Sequence, residues 1–397
     1  MPKIKGTLEN PGLPEATEIT PETVFVGSID DSPEGTKQYS FALMQEFITN
    51  TSDIYSIAIK RSLFDINIAE LNLTKFSSEE NSRLRNVLLS ALTTIDEEVY
   101  VYANSNFLNF SAPLLETVGV GKNRGITFDN SRLLETVNLP LLTAVGSNFR
   151  IENSDLLNTL NIPKLETIPG TLAIVRAYIL TAINLPALLV VNGQINSSNN
   201  SLATTFLAPL LHTVAQDISI HSNPLLQTLN LGGLTSHKQI FLQGLPNLVN
   251  LNLGNNNNGD GSYFIQIMTC GISSLVISNR TTNGFFGSIV NNPNLTSINF
   301  TGSKISANGS INISDNTLLT SIILGIVEAS SYQSQYNFDD NALSQTSVDH
   351  ILAKYATLNV PLTAALNLQG GTNATPSSAG LTSKATLQGL GWTVNHN

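Results

Sequence analysis

The chain has 397 residues, of which 19 are Lys or Arg and 29 are Asp or Glu. The charged share is therefore 12%, about half the roughly 25% of an ordinary soluble protein, with the gap filled by Asn, Ser and Thr around a normal apolar fraction. A net charge of −10 argues against nucleic-acid binding, which needs a basic stripe, and disfavours anionic membranes. Cys270 is the sole cysteine, so no disulfide framework or cysteine-based zinc site forms within one chain. No apolar run near the start has the length of a signal peptide, and none elsewhere that of a membrane span, so synthesis in a cytoplasm without a signal is expected.

Residues 1–50 read as an N-terminal arm and attachment segment. The first 22 carry four of the 16 prolines and suit an extended arm. A strand-like start then gives way to a turn at Pro33-Glu34-Gly35 and an amphipathic helix from about Ser40, with Phe41, Met44 and Phe47 on one face. Residues 51–103 read as a small α/β cap, with a short strand and loop over 54–75 and a helix over 77–95. That helix would start at Ser77 or Ser78, place Glu79 and Glu80 in its first turn, and bury Leu84, Val87, Leu88, Ala91 and Ile95 over the first coil of the repeat region.

Residues 104–330 repeat. Pro140, Pro163, Pro186 and Pro209 stand 23 residues apart, inside the phrases LPLLTAV, IPKLETI, LPALLVV and APLLHTV. A second phrase, LLETVNL, LLNTLNI and ILTAINL, precedes the first three prolines and returns later as LLQTLNL, NLVNLNL, NLTSINF and LLTSIIL. Within LLNTLNI the spacings of 3 and 2 between Leu157, Leu160 and Ile162 describe a turn running into a short strand. One such strand cannot bury its apolar edge alone, whereas stacked units make a parallel sheet around a continuous core. The predicted class is mainly β: a solenoid of about 23-residue period with small α/β caps at both ends.

Residues 331–397 form the second cap. A helix is predicted over 343–360 with Val348, Ile351, Leu352 and Tyr355 inward, then a strand, a second helix and a final strand WTVNHN anchored by Trp392. The repeat kernels and Asn-rich turns resemble leucine-rich repeats of the helix-poor, BspA-like and receptor L-domain kind. The C-terminal run LNLQGGTNATPSSAGLTSKATLQGLGWTVNHN, behind SVDHILAKY, resembles a module of bacteriophage tail and structural proteins, and EGTKQYSFALMQEFI resembles a segment near the start of phage tail proteins. These resemblances imply a virion protein, a tail fibre or tail-associated component. It would be joined to other virion proteins through its N-terminal segment and offer its repeat face to a host-surface glycan or protein. Homotrimers are common among such fibres and spikes, although no heptad or collagen-like period is present to enforce one. A bacterial BspA-like adhesin and a polysaccharide-degrading tail spike are the alternatives.

No catalytic, metal or cofactor constellation stands out, and none is expected. His212, Asp217 and His221 lie near one another in sequence without HExxH or CxxC spacing. Glu116, Glu135 and Glu166 recur with the repeated phrases, as solvated corners do, while Arg150, Glu152 and Asp155 make one mixed-charge cluster. Asp129 and Glu152, one period apart, are the acids to examine for glycan hydrolysis. The Asn-rich 255–261 loop lacks the acids of a calcium loop, and 119–123 lacks the spacing of a phosphate loop. Aromatic and amide side chains suit sugar rings and hydroxyls. Tyr263, Phe264, Phe285, Phe286, Tyr332 and Tyr336 are the candidate binding surface.

Overall fold

A computed structural model of the protein describes residues 73–254, 264–277, 285–305, 310–328, 335–359 and 364–397, together with the backbone of strands at 24–26, 54–59 and 65–68. The expected helix near Ser40 lies outside the described residues.

Each turn of the solenoid is a three-sided coil. In one of them the sides are Phe149–Glu152, Thr159–Asn161 and Thr167–Ile168. All three kinds of strand pair in parallel with their counterparts in neighbouring coils, at a register of 23 residues such as Phe149 to Leu172. The first sides form a long face that runs from Val24–Val26 to the C-terminal Thr393–His396. The second sides, three or four residues long and here called the amide face, form sheets of five, four and three strands in succession. The third sides are two-residue strands.

Two adjacent columns make the corner after each long strand. The first is left-handed, with φ near +50 to +58° at Asn130, Asn153, Asn199, Asn291, Asp315 and Asp340, residues that accept this geometry readily. The second is buried and builds an amide ladder. Asn316 Oδ1 accepts from Asn292 N at 3.0 Å, and its Nδ2 donates to Ile289 O at 2.9 Å. Asn292 does the same for Cys270 N and Ile267 O, and Asn341 for Asn316 N and Ile313 O. Asn200 and Asn223 form an earlier run. In coils where Ser131, Ser154 or Ala177 fills the column, the amide is missing.

Cys270 occupies one rung, its Sγ 3.3 Å from Met268 O and 3.8 Å from Leu242 O, so that a single S–H stands in for an amide. Burial pushes its thiol up to about 12. Since the thiolate is the reactive form, the native protein is expected to resist a maleimide at neutral pH and to label once unfolded in urea. Rapid labelling of the native chain would show that the rung is open.

The expected helix over 77–95 is absent. That stretch holds strands Leu73–Glu79, Asn86–Leu89 and Thr94–Ile95, and so makes a coil like the later ones. Its buried residues Leu84, Val87, Leu89, Leu92 and Ile95 are spaced 3, 2, 3 and 3, as are Leu157, Leu160, Ile162, Leu165 and Ile168 further along. Leu88, assigned to the helical stripe, is a partly exposed strand residue.

The C-terminal expectation holds. Helix α1, Gln345–Ala356, starts at the N-cap Ser344 and buries Val348, Ile351, Leu352 and Tyr355. Its Ser347 and His350 accept the N–H groups of Ile322 and Leu324 at 3.2 and 3.0 Å, tying the helix to the last amide-face strand. Burial lowers the His350 pKa, which favours the neutral imidazole this bond requires. Helix α2, Ser378–Gly389, packs on α1, and strands Ala365–Leu368 and Thr393–His396 extend the long face. Trp392 is buried against Tyr336 and Tyr355, with ring centroids 5.7 and 5.8 Å away.

Candidate functional site

Alternation along the long-face strands buries one set of side chains and turns the other outward. In Gln239–Leu245, Phe264–Cys270 and Phe286–Val290, the inward residues Ile240, Leu242, Ile265, Ile267 and Ile289 are nearly inaccessible. Pairing sets Gln239, Phe264 and Phe286 in one outward column, and Phe241, Gln266 and Ser288 in the next. Gly287, at φ +147°, takes an inward position where a Cβ would strike the Ile265 carbonyl, so only glycine passes.

Phe264 and Phe286 in one column and Phe241 diagonally beside them form a bent row of three partly buried rings. Phe241 and Phe264 have centroids 5.8 Å apart, and Phe264 and Phe286 5.6 Å apart, all tilted. Gln239, Gln243, Gln266 and Ser288 surround them with neutral donors and acceptors. The strands of this face from Leu172–Val175 to Phe286–Val290 carry no Asp, Glu, Lys or Arg. Further along, Asn337 donates to Asn312 at 2.9 Å and Asn395 to Asn367 at 2.8 Å, continuing the neutral surface.

The candidate surface read from the sequence divides. Phe264 and Phe286 are brought together; Tyr263 and Tyr332 lie outside the described residues. Phe285 and Tyr336 are corrected to core residues: both are fully buried, Phe285 against Phe300 at 4.8 Å and Tyr336 against Tyr355 at 4.6 Å. Phe241 was missed. Its partner in the next coil is Gln266, so it stands diagonally across from Phe264, in an apolar run where alternation alone does not say which residues face out.

The other half of the long face is charged. Lys75 and Arg124 hold Glu98 at 2.7 and 3.4 Å, and Tyr100 stacks on Tyr102 at 6.4 Å. Partial burial raises the Tyr100 pKa, with Glu79 and Asp129 adding to the shift. Asp129 accepts from Asn153 at 2.8 Å, and Glu152 pairs with Arg150 at 2.7 Å, so both acids already have partners. Asp155 pairs with Arg132 at 3.7 Å instead of joining Arg150. Glu116 and Glu166 precede two-residue strands, but Glu135 precedes an amide-face strand, so the repeated acids do not share one corner.

His212 and His221 sit on different sides of their coil, bonded to Thr213 and Ser222 respectively. Among the described residues no group of three His, Cys, Asp or Glu side chains is placed to hold a metal. The 119–123 turn has left-handed glycines at Gly119 and Gly121 and leads into a strand, unlike a phosphate loop. A depression of about 330 Å³ lies beside α1, lined by Ile326, His350 and Lys354, away from the ring row. No protein-family model matches the chain, and no curated protein or solved structure matches it either.

Proposed function

We propose that the protein is a non-enzymatic binding scaffold of a bacteriophage particle, whose long face holds an uncharged host-surface glycan along Phe241, Phe264 and Phe286. The observation that carries the binding reading is the row itself: three rings at near-equal spacing, ringed by amides, in the charge-free stretch of the face. Sugar rings stack on such aromatic faces while their hydroxyls pair with amides. The virion assignment rests on the resemblance of the C-terminal module and the Gly-Thr-Lys segment to phage proteins. An adhesin would use the same row. A spike that cleaves polysaccharide would need two acids free to face the glycosidic bond, and Asp129 and Glu152 are each already bonded to a neighbour.

The test is a glycan array followed by calorimetry on the best neutral ligand. Phe264→Ala is expected to weaken binding about tenfold, or ~1.4 kcal/mol, with the fold kept and the thermal midpoint lowered only modestly, because the ring is partly exposed and its loss costs chiefly the contacts with Phe241 and Phe286. Equal binding by wild type and variant would overturn the site. Mass spectrometry of purified particles tests the virion assignment separately, and absence of the chain from them defeats it.

A further inference from the structure

The exposed apolar residues are unevenly distributed. Of the large hydrophobic side chains exposed among the described residues, all but Val120, Ile326 and Leu381 lie on the amide face or on the two corners that border it. Leu202 and Leu225 mark one border at 42 and 40% exposure, Leu114 and Leu210 the other, and Val276 and Ile323 stand on the strands themselves. The face between is polar but uncharged: from Asn86–Leu89 to Ser321–Ile323, none of its strands carries Asp, Glu, Lys or Arg. Cross-coil bonds such as Asn161 to Asn138 at 2.8 Å hold its amides in place.

We infer that this face is where a second copy of the chain packs, side by side and antiparallel. Size supports it. Strands stacked at about 4.8 Å from Asn109–Ser111 to Ser321–Ile323 make a face roughly 45 Å long, and roughly 20 Å wide with its corners. The area is on the order of 900 Å², close to the ~800 Å² that each partner of a standard interface buries. The depletion of charge across the face suits a buried contact, with the leucines of its two borders flanking amides already held by cross-coil bonds.

Charge favours a copy of the same chain in this orientation. Two chains of net charge −10 repel unless they meet where charge is sparse, and between Ala177 and Ser303 the sequence carries only Asp217, Lys238, Asp260 and Arg280. Most charges that border the amide face, among them Glu116, Arg132, Glu135, Asp155, Lys164 and Arg176, sit in its earlier coils, with Asp315 in the last. An antiparallel pair sets them against the neutral later coils of the partner. Equal coil spacing in both copies lets the leucine ridges of one settle between those of the other. The contact is isologous and closes as a dimer.

Light scattering of the purified full chain tests this. Wild type is expected at twice the 42.6 kDa of one chain, and Leu202→Glu combined with Leu225→Glu at the single-chain mass. Thr228→Lys, a polar surface change on the same face, is expected to do likewise and guards against misfolding of the leucine variants. Phe264→Ala, on the long face, should leave the dimer intact, which separates this contact from glycan binding. The inference is overturned if wild type has any mass other than two chains, or if folded face variants remain dimeric. A monomer whose amide-face variants lose polysaccharide binding would also overturn it, because the face would then be a ligand surface.

Discussion

Replacing Asn316 with alanine is expected to lower stability by about 2–4 kcal/mol, one of the largest effects available from a single polar side chain in this protein. Its carboxamide accepts from Asn292 N at 3.0 Å and donates to Ile289 O and Ser314 O, both at 2.9 Å, in a fully buried corner. Alanine strands those groups away from water. The cost of an unmade bond to a buried group, about 1–3 kcal/mol each, exceeds what the intact bond contributes net. Ala177 occupies the same column without disrupting its coil, so the corner can close without an amide. What fails in the variant is the pairing with neighbours already turned toward Asn316. Urea unfolding followed by circular dichroism measures the loss, and a midpoint unchanged from wild type would mean that the ladder contributes little.

Trp392→Ala is expected to cost about 3–5 kcal/mol within the C-terminal cap. The indole lies 3% exposed, stacked on Tyr336 at a 14° interplanar angle and tilted against Tyr355. Removing it leaves a cavity under α1 and the last two long-face strands. Coils contact mainly their neighbours, so the damage should stay local. Hydrogen exchange should accelerate over 345–397 first, while the amides around Phe149–Glu152 keep their protection. Uniform acceleration along the chain would contradict nearest-neighbour stability. Tyr355 offers a contrast: its buried hydroxyl has no hydrogen-bond partner among the described residues, so Tyr355→Phe should leave stability unchanged or raise it.

Much of the fold is legible because each coil repeats the same physical problem. The 3, 2, 3, 3 spacing of apolar residues marks where the chain turns inward, and Asn marks the corners. The first described coil was misread because Ser77, Ser78, Glu79 and Glu80 imitate a helix start, and Leu84, Val87 and Leu88 fit a helical stripe as well as a strand. Without the proline phrase of later coils, local spacing does not separate the two. Pairing with Val99–Tyr102 decides it.

The binding row was half legible. Phe285 and Phe286 are neighbours, and in a strand one must point in and the other out. A one-residue shift in register exchanges them, and the irregular stretch before them erases the 23-residue count. Pairing of Phe264 with Phe286 fixes the answer and leaves Phe285 in the core beside Phe300. Tyr336 obeys the same logic at the C-terminal cap.

The sequence by itself determined the repeat length, the parallel solenoid, the residues of its core over the regular coils, and the two helices of the C-terminal cap, because periodic burial leaves a periodic trace. The tertiary structure alone decided that the uncharged surface divides into a face bearing a row of rings and a face edged with leucines. Those groupings join residues from successive coils, about 23 positions apart in sequence but about 4.8 Å apart in space, and cross-strand register rather than local pattern aligns them.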